Sequence, residues 1–166
     1  IDRLAGVLAE RHGKLDILVG NAAILGALSP MSHYEPKTWQ QVIDINLNAN
    51  WRLIRDFDAL LRASDAGRAM FVTSGVARDI RAYWGPYAAS KAGLENMVLG
   101  WAAELNDPQV CATLIAPGRV RTGMRRQAYP GEDANKHPYP DAITDAFVSL
   151  AEASCSRRGE LVTVSP

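Results

Sequence analysis

Several things are scarce in this sequence, and each shortage narrows the choice. Eighteen basic and eighteen acidic residues cancel over 166 positions, so bulk charge gives no reason to invoke nucleic acid or an anionic membrane surface. No apolar run approaches the ~20 residues that span a bilayer, and no stretch reads as a signal peptide. The two cysteines, Cys111 in an apolar run and Cys155 in a polar one, do not make a disulfide framework. The three histidines, His12, His33 and His137, are scattered without metal-ligand spacing. A cytoplasmic protein with no metal and no membrane partner is the expectation. Its length suits one domain with a real core.

What remains is ordinary globular material, 48% hydrophobic and 22% charged, arranged in alternating strand and helix patterns. Continuous apolar runs predict strands over 15–19, 69–73, 110–115 and 161–164, as for strands covered on both faces of a parallel sheet. Between them lie helical stripes. Ile1, Leu4, Val7, Leu8 and Ala9 form the first, ending at Gly13, a good C-terminal cap. Nothing caps its start, so the sequence is expected to begin inside a helix. Pro36 suits a first helical position, and the stripe from Trp39 to Leu61 follows it. A third runs from Tyr87 to Leu105 and is broken by Asn106-Asp107-Pro108. A short helix over 141–150 turns Ile143, Phe147 and Leu150 inward. The segment 123–140 shows no periodicity and carries Pro130, Gly131, Pro138 and Pro140; it is expected to be a lid-like loop. Its arginines, Arg125 and Arg126, suit either an anionic ligand or a solvated face. The fold class is therefore α/β, a parallel sheet flanked by helices in a single domain over 1–166.

The chemistry concentrates around Tyr87-Ala88-Ala89-Ser90-Lys91. Four residues apart on a helix, Tyr87 and Lys91 point the same way. A free tyrosine titrates near ~10, and an ammonium one turn away favours the phenolate and lowers that value. The pair can therefore act as an acid/base device; alone, it fits a half-buried aromatic beside a solvated lysine better. Ser74 stands at the end of the second strand, where open α/β sheets bind ligands. The Gly-x-Ser-x-Gly elbow of a nucleophilic serine is absent around it, so a hydrogen-bonding role fits better. Asn46 interrupts an apolar helical stripe and needs buried partners, either backbone or ordered water. Tyr83 and Trp84 suit either a substrate pocket or packing.

Taken in order, Gly20-Asn21-Ala22-Ala23, Asn46-Leu47, Ser74, Tyr87 with Lys91, and Pro117-Gly118-Arg119-Val120-Arg121-Thr122 resemble the short-chain dehydrogenase/reductase family across essentially the whole chain. The resemblance implies the second part of a Rossmann-type fold and hydride transfer between NAD or NADP and a small carbonyl or alcohol substrate. Tyr87 becomes the proton donor or acceptor, Ser74 the group that bonds the substrate oxygen, Lys91 the partner of Tyr87 and of the nicotinamide ribose, and Asn46 the end of a water relay. Asn21, Ala22, Pro117, Gly118, Val120 and Thr122 fall on the cofactor, with Val120 and Thr122 at the carboxamide. A homodimer or homotetramer built on the two long helices is also implied.

Two departures qualify this. Gly20 and Ala23 stand where the family usually has other residues. No two glycines lie within two positions of each other, so the Gly-x-Gly-x-x-Gly turn that binds pyrophosphate is missing. The nucleotide-binding βαβ portion is therefore expected to lie outside this sequence, in roughly 60 to 70 preceding residues. Either bare apolar surface around residues 1–20 or another chain covering it is then expected. A binding or scaffold module that keeps the fold without catalysis is the alternative.

Overall fold

The computed structural model of the chain describes residues 1–106 and 108–164. Four strands form one parallel sheet in the order β1-β2-β3-β4: Ile17–Gly20, Arg68–Val72, Cys111–Ala116 and Glu160–Thr163. Six α-helices accompany them among the described residues: α1 Asp2–His12, α2 Pro36–Ile43, α3 Ala49–Arg62, α4 Gly85–Glu104, α5 Gly123–Ala128 and α6 Thr144–Ala151. The α/β parallel architecture expected from the sequence is thus the one observed.

Strand β2 organises the core because its alternate side chains serve two layers. Ala69 and Phe71 face the large cluster with Ile54, Phe57 and Leu61 of α3 and Leu94, Val98 and Trp101 of α4. Met70 faces the other way, against Ile115 of β3 and Leu150 and Phe147 of α6. Trp101 Nε1 donates to Asp58 Oδ1 at 2.8 Å and ties α4 to α3. Truncating a buried aromatic such as Phe71, which is fully covered, costs ~3–5 kcal/mol in comparable cores.

Differences from the sequence reading have local causes. The run from Leu15 enters the sheet only at Ile17, since the Leu15 N–H is already given to Leu60 O at 3.0 Å. The stripe from Pro36 to Arg62 is not one regular helix: the five residues Asp44–Asn48 form a π-helical turn between α2 and α3. Asn46, a poor fit to an apolar helical interior, sits inside that turn. The segment 123–140 is not structureless. It contains α5 and a 3-10 turn at Ala134–Lys136, and a second 3-10 turn, Pro140–Ile143, leads into α6. Of the expected break after α4, Asp107 lies outside the described residues. Helix α1 does end at Gly13, whose φ of 69° and N–H bond to Ala9 O make a left-handed cap.

The apolar stripe of the first helix is largely uncovered: Ile1, Leu4 and Val7 are exposed, as are Ile17 and Val19 on the edge strand β1. In the chain by itself, apolar surface around residues 1–20 is thus bare.

Arg68, at the start of β2, is 4% exposed. Among the described residues its guanidinium has no carboxylate partner and is satisfied by carbonyls instead: Gly67 and Gln109 from Nη1 at 2.9 and 2.8 Å, Glu152 from Nε at 3.1 Å and Ala153 from Nη2 at 2.7 Å. It thereby joins β2, the approach to β3 and the end of α6. Replacing it with methionine removes four charge-assisted bonds, of a kind worth ~1.5–3 kcal/mol each, although Gly67 O and Glu152 O keep backbone donors from Cys111 and Cys155. Urea unfolding of Arg68→Met is expected to show a loss of at least ~3 kcal/mol in sum; a loss under ~1 kcal/mol would contradict this role.

Candidate functional site

The carboxyl ends of β1, β2 and β3 open into a cleft of about 450 Å3, the place where parallel α/β sheets hold ligands. All the site residues expected from the sequence line it except Asn46: Asn21 and Ala22 after β1, Ser74 after β2, Tyr87 and Lys91 on α4, and Pro117, Gly118, Val120 and Thr122 after β3.

Each arrives there for a local reason. Gly20 ends β1 without a side chain because a Cβ would overlap the Phe71 ring and Asn50 Oδ1. That close packing accounts for a glycine where the family has a larger residue. Ser74 is extended (φ −151°, ψ 151°) at the head of the 3-10 turn Gly75–Ala77 and makes no side-chain capping bond. Its hydroxyl neighbours that of Tyr87 and favours the ionised form of the phenol. Gly118 turns the chain at φ 72°, and a Cβ there would press on Val164 O at 3.2 Å. Thr122 Oγ1 accepts from Arg125 N at 3.1 Å, capping α5 and leaving its own proton free to donate.

Tyr87 and Lys91 are both nearly covered, at 7% and 2% exposure. Burial pushes the Tyr87 hydroxyl above its ordinary value of 10.0, with the Ser74 hydrogen bond pulling the other way. This corrects the expectation that the ammonium lowers Tyr87. Lys91 Nζ turns to the backbone, donating to Val72 O at 2.7 Å, and lies 5.9 Å from the Tyr87 ring centroid. Burial is the larger influence on the phenol. At neutral pH the phenol therefore holds its proton. Burial also drops Lys91 from 10.5 to about 8.

Asn46 lies apart from the cleft, 0% exposed. Its Oδ1 accepts from Ile24 N at 2.9 Å, while Nδ2 donates to Ile24 O at 2.9 Å and Ser90 Oγ at 3.1 Å. Its own carbonyl accepts from Asn50 Nδ2 at 2.7 Å. These bonds clamp residue 24 onto α4, and the adjacent Leu25 packs against Tyr87 and Val76.

Glu95 was not singled out in the sequence, although it stands one turn beyond Lys91 and two beyond Tyr87 on the same helix face. Its Oε1 accepts from Thr73 Oγ1 at 2.7 Å and pairs with Arg78 Nη1 at 3.3 Å. It therefore fastens the Ser74 segment to the helix that carries Tyr87. Trp84, Met124 and Tyr129 complete the cleft wall; the latter two lie in the stretch that lacked periodicity. The group of three or more His, Cys, Asp or Glu side chains that a metal site needs is absent among the described residues. No described helix is long and apolar enough to cross a membrane.

The titration of Lys91 has a measurable consequence for stability. In the unfolded chain its proton stays up to near 10.5, in the fold only to about 8. Between those values the unfolded chain binds more protons, so this group's penalty is full below about pH 8 and fades as the pH rises toward 10.5. Relative to Lys91→Met, wild type should therefore gain roughly 2–3 kcal/mol between about pH 7 and pH 10, read by urea unfolding. A difference that stays constant with pH would contradict the buried-ammonium assignment.

A family model described as short chain dehydrogenase matches residues 1–133. The uncharacterized oxidoreductase YciK of Escherichia coli (strain K12) is 39% identical over 148 residues, 89% of this chain and 58% of that protein. The benzil reductase ((S)-benzoin forming) IRC24 of Saccharomyces cerevisiae is 31% identical over 131 residues, 76% of this chain and 50% of that protein. A crystal structure of a short chain dehydrogenase from Escherichia coli CFT073, complexed with NADPH, superposes with a TM-score of 0.93 at 37% identity. It covers 99% of this chain and 69% of that one. The chain thus spans about half the length of the curated relatives it matches. The order of the site residues along the sequence, the parallel sheet that gathers them and the family match over residues 1–133 agree: the chain belongs to the short-chain dehydrogenase family.

Proposed function

We propose that this chain carries the acid/base site of an NAD- or NADP-dependent oxidoreductase that interconverts a carbonyl and an alcohol. The observation that carries the reading is the meeting of the Ser74 hydroxyl, the Tyr87 hydroxyl and the Lys91 ammonium in one cleft at the carboxyl ends of the strands. The NADPH complex of the structural relative and the yeast relative's name as a benzil reductase support it.

The residues present fit the nicotinamide end of such a cofactor. The turn after β3 is bare at Gly118, the Thr122 hydroxyl has a proton to donate to a carboxamide, and Asn21 and Ala22 border the cleft with small or amide side chains. When bound, the nicotinamide supplies or accepts the hydride. The protein's residues handle the rest. Ser74 donates to the substrate oxygen and orients it. Tyr87, protonated at neutral pH, delivers its proton to that oxygen as the carbonyl carbon is reduced, and recovers it from solvent. Lys91, lying beside the ring, stabilises the transient phenolate and binds the ribose. Asn46 holds Leu25 and α4 in place around Tyr87; its part in a relay to solvent is proposed on the family resemblance alone. The segment 123–140 is proposed to act as the lid.

Trp51 on α3 and Leu99 on α4 are large apolar side chains left 48% and 40% exposed. With the family resemblance, this supports a homodimer or homotetramer through α3 and α4, an isologous contact. Light scattering at micromolar concentration should give a dimer or tetramer mass; a monomer would count against it.

The reading is tested by Tyr87→Phe in the complete natural polypeptide. Losing general acid catalysis typically costs ~10²–10⁴-fold, so carbonyl reduction should fall by that factor while NADPH affinity, followed by fluorescence, stays near wild type. Wild-type turnover in the variant would remove Tyr87 from its role.

A further inference from the structure

The two ends of the cleft differ in chemistry. On the cofactor side the lining is polar and backbone-rich. Beyond the Tyr87 hydroxyl it becomes aromatic and apolar. Trp84 lies 5.8 Å from the Tyr87 ring at 63° and 5.9 Å from the Tyr129 ring at 39°, and Met124 lies on the same wall. All three are only partly buried, so they offer surface to an occupant. We propose that the carbonyl substrate of this site is a neutral aryl ketone or aryl aldehyde whose ring packs on Trp84 and Tyr129. The proposal rests on the carbonyl-reductase reading and adds the substrate class to it.

Three observations carry it. First, the wall is held in place from outside. Tyr83 has a φ of 73°, a conformation that a non-glycine residue rarely adopts. Its own side chain is 59% exposed, so burial of that ring is not what the strain serves. Instead its carbonyl accepts from Tyr34 Oη at 2.6 Å and Ser29 N at 3.1 Å, which pins the backbone next to Trp84. Strain kept by surrounding bonds beside a ligand cleft is a mark of a positioned group. Tyr129 is fixed likewise, its hydroxyl accepting from Arg81 Nη1 at 3.0 Å and its ring lying 3.9 Å from the Arg125 guanidinium carbon.

Second, the wall has no free charge to offer an anionic substrate. The charged side chains lining the cleft are Lys91 and Arg125. Lys91 is turned to Val72 O. Arg125 is engaged bidentately by Glu132, from Nε and Nη2 at 2.6 Å each. A carboxylate entering here would have to displace that pair or lose its hydration without compensation.

Third, the wall favours flat partners over merely apolar ones. Tilted and edge-on ring pairs at these separations are the preferred aromatic geometries. A third ring can join such an array, whereas an alkyl group gains only contact area.

In the reaction the substrate's C=O π bond breaks, its carbon takes the hydride from the nicotinamide and its oxygen takes the Tyr87 proton. The product is a secondary benzylic alcohol from the ketone or a primary one from the aldehyde, and the cofactor is oxidised in step.

The test uses the complete polypeptide with NADPH and with NADH, and three α-keto probes: methyl phenylglyoxylate, methyl pyruvate and the phenylglyoxylate anion. Wild type should show a kcat/KM for the aryl ester at least ~10-fold above each of the other two, the discrimination an apolar pocket can supply. In Trp84→Ala the aryl-to-methyl ratio should drop ~10-fold, and Trp84→Phe should keep it within ~3-fold. If Trp84→Ala does not fold, Tyr129→Leu should lower the same ratio. A wild-type preference for methyl pyruvate or for the anion, or a ratio unchanged in the folded variant, overturns the aryl assignment and leaves the reductase reading standing. Reduction of none of the three overturns both.

Discussion

The Lys91 ammonium, 2% exposed, donates to the Val72 carbonyl across 2.7 Å, and this contact fixes helix α4 against the end of strand β2. Val72 is the last residue of β2 and Ser74 follows two positions later. One hydrogen bond therefore sets the separation between the residue that would orient a substrate oxygen and the Tyr87 hydroxyl. A buried ammonium is costly unless hydrogen-bonded, so the helix cannot slide along the strand without exposing that cost. Glu95 adds a second fastening one turn further on, through Thr73 and Arg78. The two bonds together hold the helix in one register along the strand.

The rest of the fold supports that junction. Phe71, one residue before Val72, is seated among α3 and α4 side chains, and Gly20 lacks a Cβ so that the Phe71 ring can stay there. Asn46 reaches from the π-helical turn to Ile24 and Ser90, closing the third side around Tyr87. A strand end, a helix and a returning turn thus meet at one phenol. Burial by all three raises its titration point and leaves it protonated at neutral pH, the form a proton donor needs.

The strands and long helices were legible in the sequence because each carries an apolar pattern of its own. Their ends shifted by one or two residues where a neighbouring group claimed a backbone bond, as Leu60 O does with Leu15 N. The cleft residues were legible through their order along the chain, the one property a resemblance reads well. Three things were not. The sign of the Tyr87 shift depends on how far the fold buries the ring, and spacing alone says only that Tyr87 and Lys91 share a face. Glu95 looks like any helical acid until Thr73 and Arg78 are brought to it. Tyr129 and Met124 sit in a segment whose short helix is set by the Thr122 cap and the Arg125–Glu132 pair, too brief for periodicity to register.

That hydride and proton meet a carbonyl at Tyr87 and Ser74 is the proposal on which the rest depends. It is tested most directly by reducing methyl phenylglyoxylate with the complete polypeptide and NADPH carrying deuterium at the transferable nicotinamide position. Mass spectrometry of the alcohol should place the deuterium on the former carbonyl carbon, and chiral chromatography should show one enantiomer, since the substrate oxygen is oriented by Ser74. Alcohol formed without the label, or labelled alcohol formed as a racemate, would contradict a carbonyl held at this site.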